Sequence, residues 1–411
     1  MIGADVPSTS SASHSAVAAP DHLPGLDGLR GTVAMMVVFF HLNLLGFGWL
    51  GLSCFFVLSG FLITRVLFGD IEETASLGQC LKRFYIRRTL RVFPLYYLCL
   101  VVLLIAGRFV AAVHDQTVHE LPYAFAYVYN VFMMTSGHHG THLMDHLWSL
   151  SVEEQFYLVW PLVMYAAGRE RLSFVLVAIL IASPLLRWAT VATWPPPLPL
   201  PWVTPDKVYF ATYFSPLSNL DGFAFGALLN YVRVRPQMWW IAASIAISYL
   251  IAVSIQGFGV APLWQYGPPL TLGYPISLPN DYQYVWGYSV IYFNCALLVL
   301  AVCNRNPLQA FFSRPWMRWL GYRSYAIYIA HYPLLFAMEP LLHAMHTRFG
   351  SGVLTTLCFA ALYVPVVLTV SHFLHVGFER PILKFKDRFS SSGSRSAGAS
   401  APVPAANSPA P

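Results

Sequence analysis

Stretches of about twenty apolar residues recur along this chain, and they restrict its fold more than any other feature. A helix of that length spans the hydrocarbon core of a bilayer. Within lipid, only structures that satisfy their backbone hydrogen bonds internally persist. Such runs are read at 30–47, 49–68, 90–112, 148–168, 172–190, 215–232, 237–255, 285–303, 320–344 and 352–376. Of the 411 residues 57% are hydrophobic and 10% charged, which excludes a soluble globular protein. The expected fold is all-α, a polytopic membrane protein of about ten transmembrane helices. Residues 24–389 form this domain. A disordered N-terminal segment (1–23) and a Ser/Ala/Pro-rich tail (390–411) are expected to flank it.

Basic residues set the orientation. Lys82, Arg83, Arg87 and Arg88 fall between the second and third spans, and Arg91 at the start of the third. Arg169 and Arg171, then Arg233 and Arg235, then Arg305, Arg314 and Arg318 follow in alternate loops, and Arg380, Lys384, Lys386 and Arg388 close the series. The other loops hold little beyond Lys207 and Arg348. By the positive-inside rule both termini are cytoplasmic, and the chain is multi-pass in the cell (inner) membrane. The net charge of +6 thus reads as topology and lends no support to nucleic-acid binding. Six scattered cysteines include no CxxC pair and imply no disulfide framework. The N-terminal segment lacks a basic n-region, so the first span is expected to act as an uncleaved signal anchor.

Ionisable residues inside apolar spans are costly and mark sites or pathways. Arg30 and His41 share LDGLRGTVAMMVVFFH. Eleven helical residues separate them, about three turns and about 16 Å, so both face one side. Arg30 alone would be a topological anchor, and a lone histidine most often bonds a neighbouring helix. Together they suggest a long anionic ligand entering end-on, gripped at one end by a guanidinium and met at the other by an imidazole able to take a proton. Arg88 and Arg91, in KRFYIRRTLRVFPLYY, share a helix face and could complete a phosphate cradle with Arg30 for a nucleotide-bearing cofactor, or contact anionic lipid. In HLWSLSVEEQFYLVWP, Glu153 faces the same way as Ser149 and could orient a histidine or take the acceptor's proton, whereas Glu154 is expected at the solvated interface. Asp221 in LDGFAFG needs a partner. His331 in SYAIYIAHYP and Ser59 in FFVLSGFLI are further candidates, though Ser59-Gly60 more often marks close helix packing. His138, His139, His142, Asp145 and His146 cluster in one loop. They lack the helical or cysteine-supported spacing of a zinc site, and no metal is expected. Pro- and aromatic-rich loops at 191–214 and 256–284 could form lids or interfacial belts.

Taken in order, LDGLRG with its R-x10-H spacing, FFVLSGFLI, R-x-x-R followed by FPLYY, HLWSLSVEEQFYL, LDGFAFG, GYRSYAIYIAHYP and the closing ERP resemble acyltransferase family 3. This family of integral-membrane acyltransferases includes O-antigen and exopolysaccharide acetylases. The resemblance covers about residues 24–383. It implies acetyl-CoA or another acyl-CoA as cytoplasmic donor and a hydroxyl on an envelope glycan or its lipid-linked precursor as acceptor. It also implies that His41 is catalytic, Arg30 essential, Arg88 and Arg91 near the CoA, and Glu153 the motif acid. Two departures stand out. Many members carry an arginine two residues before the acid at Asp221, where this chain has Asn219, and no fused extracytoplasmic hydrolase domain is expected. The competing functions are a transporter or flippase for a glycan or anionic metabolite, and an acyltransferase for a small secreted metabolite.

Overall fold

The computed structural model describes residues 23–390, except 75, 137–142, 194–207, 258–270, 275, 277 and 279–281. The described residues contain helices and no strand. In chain order the helices are α1 (Pro24–His41), α2 (Leu50–Glu73), α3 (Leu77–Ala106), α4 (Ala111–Thr117), α5 (Leu121–Phe125), α6 (Tyr129–Ser136), α7 (Leu147–Thr193), α8 (Val208–Phe214) and α9 (Leu220–Leu228). They continue with α10 (Met238–Gly257), α11 (Gln283–Val302), α12 (Pro307–Phe312), α13 (Pro315–Phe349), α14 (Val353–Leu374) and α15 (Arg380–Ser390). Five helices, α2, α3, α7, α11 and the run from Val353 to Phe385, are long and apolar enough to cross a membrane, and α10 is shorter but apolar. Neither α1 nor α13 meets that criterion, and these two carry Arg30, His41 and His331.

Several boundaries differ from those expected. The runs at 148–168 and 172–190 belong to one helical segment, α7, interrupted only at Gly168. Gly168 turns the chain with φ 65° and ψ 171°, a backbone region closed to side chains bearing a Cβ. The run at 215–232 opens with a single 3₁₀ turn (Leu217–Asn219) after Pro216 and is α-helical only over α9. The basic segment expected as a loop before residue 90 is the first part of α3, capped by Ser76, whose hydroxyl accepts from the Gln79 amide. The stretch at 113–147 folds largely into short helices. Most of the two proposed lids and both chain ends lie outside the described residues.

Small residues set the tightest crossings. α1 shares its longest interface with α13, where a Cβ on Gly321 would sit 1.9 Å from the Asp27 carbonyl oxygen. A Cβ on Gly31 would sit 2.6 Å from that of Leu320. α2 meets α9 in the same way, through Gly60 against the Phe223 carbonyl and Gly226 against the Val57 carbonyl, each at 2.0 Å from a notional Cβ. Close backbone approach of this kind drives helix association where lipid removes the hydrophobic incentive. Beside this crossing Phe223 stacks on Phe156 with ring centroids 4.0 Å apart.

Candidate active site

Two cavities lie end to end along α1. The first is a slot of about 80 Å³ lined by Arg30, Ser59, Arg88, Arg91, Glu153 and Tyr157. Of the four arginines of α3, Arg88 and Arg91 point here, while Arg87 turns away to Asp70 and Arg83 to Glu73 (2.8 Å). The carboxylate of Glu153 accepts from Ser59 Oγ (2.8 Å). The Tyr157 hydroxyl lies 2.9 Å from that Oγ and 3.2 Å from the second carboxylate oxygen. Arg88 lies over the Tyr157 ring, its guanidinium carbon 4.1 Å from the centroid. Among the described residues, none of these three guanidiniums lies within ion-pair distance of a carboxylate, and Arg88 Nε is buried without a hydrogen-bond partner. Three guanidiniums and one carboxylate line the slot, and an anion there would satisfy donors that the protein itself leaves open.

The second cavity, about 260 Å³, is lined by His41, Asp145, His146, Trp148 and Tyr332 among others. Leu52 and Tyr328 line both cavities, so one thin wall separates the arginines from the histidines. The Tyr328 hydroxyl lies 2.7 Å from the carbonyl of His146 and 2.5 Å from Ser149 Oγ, which is itself 3.2 Å from that carbonyl.

The histidines form a chain with a defined polarity. His331 Nδ1 lies 2.7 Å from the Tyr328 carbonyl, which can only accept, so Nδ1 carries the proton. In neutral His331, Nε2 is therefore an acceptor. His41 Nδ1 lies 3.0 Å from it and must donate. The lone pair of neutral His41 is then on Nε2. His146 joins through a backbone defect. Pro333 has no N–H to give the carbonyl of Ile329, four residues earlier on α13. His146 Nε2 supplies it instead, at 3.2 Å, and the buried Nδ1 has no partner among the described residues. The His146 and His331 ring centroids are 5.2 Å apart, and those of His41 and Tyr332 4.4 Å.

The structure thus gathers the residues singled out in the sequence into two groups. Arg30, Ser59, Arg88, Arg91 and Glu153 surround the slot, while His41 and His146 line the second cavity with His331 buried behind His41. Glu153, expected to approach His41, stands instead among the arginines. Glu154 is not at a solvated edge; its Oε1 is buried and lacks a partner among the described residues. Asp221 belongs to neither group. Its partner is Arg187 of α7, which forks onto both carboxylate oxygens at 3.1 and 3.0 Å, while Ser289 donates to one of them at 2.6 Å. Both charged side chains are wholly buried, so the arginine missing at Asn219 is replaced from another helix. Asn219 instead donates to the carbonyls of Tyr213 and Ser215 and accepts from Tyr292. The signal for Arg187 was one cation in the run ILIASPLLRWATV; for Tyr157, Tyr328 and Tyr332 it was their place inside the quoted motifs. His138, His139 and His142 lie outside the described residues, and no group of three metal-ligating side chains is present among those described.

Comparison with known proteins agrees with these motifs. The chain is 29% identical over 355 residues to the peptidoglycan O-acetyltransferase OatA of Listeria monocytogenes, covering 81% of this chain and 52% of that protein. It is 29% identical over 331 residues to the O-acetyltransferase OatA of Staphylococcus aureus, covering 77% and 51%. It therefore spans about half the length of these curated relatives. No solved structure matches it. A family model for an acyltransferase domain matches residues 23–376, and the chain belongs to acyltransferase family 3, a family of membrane acyltransferases.

Proposed function

We propose that the protein is a membrane O-acyltransferase that moves an acyl group, acetyl in the first instance, from acyl-CoA to a hydroxyl of a cell-envelope glycan. One observation carries this reading: the arginine slot and the histidine cavity share the Leu52–Tyr328 wall. A polyanionic carrier held at one end could present a thioester at the other. The slot is far smaller than the several hundred Å³ of an ordinary small-molecule site. It suits a slender arm, with the nucleotide left at the mouth and its phosphates facing Arg30, Arg88 and Arg91. The relatives' names, one of them a peptidoglycan O-acetyltransferase, support a cell-envelope glycan as acceptor; exopolysaccharide, O-antigen and lipid-linked saccharide are the classes that the sequence motifs suggest.

His41 Nε2 takes the proton of the acceptor hydroxyl as the oxygen attacks the thioester carbonyl carbon. The C–S bond breaks, and the imidazolium returns its proton to the departing thiolate. His331 holds His41 in the tautomer this requires. Glu153, fixed by Ser59 and Tyr157, offsets the arginine charge and aims the slot. The alternative, attack by Nε2 itself to form an acyl-histidine, is distinguished by acid-quenching the protein with labelled acetyl-CoA and no acceptor, since only that route leaves label on His41.

The membrane arrangement follows the same reading. α7 crosses twice about Gly168, α8 and α9 together form one crossing, and α1, α2, α3, α10, α11, α13 and α14 supply the rest, which places both termini and the arginine end in the cytoplasm.

His41→Ala is expected to cost on the order of 10²–10⁴-fold in acetyl transfer by purified protein while leaving its elution as a folded membrane protein unchanged. Mass spectrometry of the glycan reads the lost acetyl increment. Retained transfer overturns the mechanism, and export of an unmodified glycan without transfer would establish the transporter.

A further inference from the structure

A third cavity, of about 440 Å³, opens at the arginine end of the bundle and shares no lining residue with either chamber of the site. Four chain segments converge on it: the end of α2, the turn at Gly168, the strand-free link from α9 to α10, and the end of α11. They bring Arg65, Arg169 and Arg233 together with Phe61, Phe68 and Leu300 around one hollow. Two carboxylates also line it, yet each is already engaged. Glu72 accepts from Arg169 at 2.7 Å and Glu73 from Arg83 at 2.8 Å. Arg65 and Arg233 have no carboxylate within ion-pair distance among the described residues. Arg169 also lies over the Phe68 ring, 4.6 Å from its centroid, which holds the guanidinium at the rim. Topology alone needs cations at this end of the helices. It does not need three from separate segments to meet around one apolar-floored hollow.

We propose that this cavity is a second anion site that binds a phosphate ester, with Arg65 and Arg233 as the groups that hold the phosphate. Guanidinium forks match phosphate oxygens, and basic pockets between transmembrane helices are suited to anionic headgroups. The phenylalanines and Leu300 accommodate the ester's carbon skeleton. The same chemistry describes an anionic phospholipid and a soluble phosphate ester, and the two are separable by experiment.

Delipidated full-length protein is titrated with phosphatidylglycerol, phosphatidylcholine and glycerol 3-phosphate, with bound molecules counted by native mass spectrometry. Arg65→Ala/Arg233→Ala is expected to weaken phosphatidylglycerol by about thirtyfold, at about fivefold per charge, and to leave phosphatidylcholine unchanged. Arg65→Lys/Arg233→Lys, which keeps both charges, should lose no more than about fivefold. A parallel loss for glycerol 3-phosphate identifies a soluble ester as sufficient ligand; loss confined to phosphatidylglycerol identifies the lipid. Should the alanine variant fail to fold, Asn304→Glu, which adds a carboxylate to the wall, must produce the same loss. Unchanged affinity for both phosphate probes in the folded variants overturns the proposal.

Discussion

His331 decides which nitrogen of His41 can act as a base, because its own Nδ1 is committed to the Tyr328 carbonyl. His331→Phe removes the acceptor for His41 Nδ1 and is expected to lower kcat by on the order of 10²-fold, less than loss of His41 itself, with the donor KM unchanged. His331→Asn keeps an amide oxygen that can accept, and should recover part of that loss; steady-state kinetics on both variants checks the pair. Arg88 tests the other end. Its Nε is buried without a partner among the described residues, so its role in the proposed reaction is to bind the donor's charge. Arg88→Ala should raise the donor KM by about ten- to a hundredfold, the equivalent of about 1.5–3 kcal/mol for a charge-assisted hydrogen bond, with kcat little changed. A fall in kcat at constant KM would place Arg88 in the chemical step instead.

At the scale of the helix, Pro333 is the informative defect. In an uninterrupted α13 the Ile329 carbonyl would be filled by the amide four residues on, and His146 would have nothing to hold. Pro333→Ala restores that amide. The variant is expected to unfold at the same or a higher temperature, yet to lose about fivefold in acyl transfer, corresponding to about 1 kcal/mol for the displaced hydrogen bond. Thermal unfolding and rate measured on one preparation show whether stability and activity move in opposite directions. The register that places His41 beside His331 depends on Gly321 and Gly31, since a Cβ at either would force α1 away from α13. The motifs LDGLRG and GYRSYAIYIAHYP thus hold site residues and the small residues that bring them together.

For the whole molecule, the proposed crossing pattern turns on Gly168. If α7 crosses twice, the segment just after it faces the cytoplasm. Glu170→Cys, at an exposed position, should then react with a membrane-impermeant maleimide only after the inner face is opened. Labelling of intact cells would reverse the assigned orientation. The Arg187–Asp221 pair belongs to this scale as well. It ties α7 to α9 and, through Ser289 and the Val285 carbonyl, to α11, and neither residue lines a chamber, which makes the pair a brace for the bundle that holds them. Removing one partner of a wholly buried pair costs about 3–5 kcal/mol because the other charge is stranded.

The sequence by itself determined an all-helical membrane protein and picked out the polar residues within its apolar runs, since each arginine, histidine or acid there stands out against its surroundings. Helical periodicity also placed Arg30 and His41 correctly on one stripe, because both lie on the same element. Periodicity says nothing about partners on other elements. Only the tertiary structure decided that Glu153 joins the arginines, that Arg187 answers Asp221, and that His146 and His331 gather around His41. Those neighbours are set by the register in which distant helices cross, and that register rests on backbone contacts at a few glycines and one carbonyl freed by a proline.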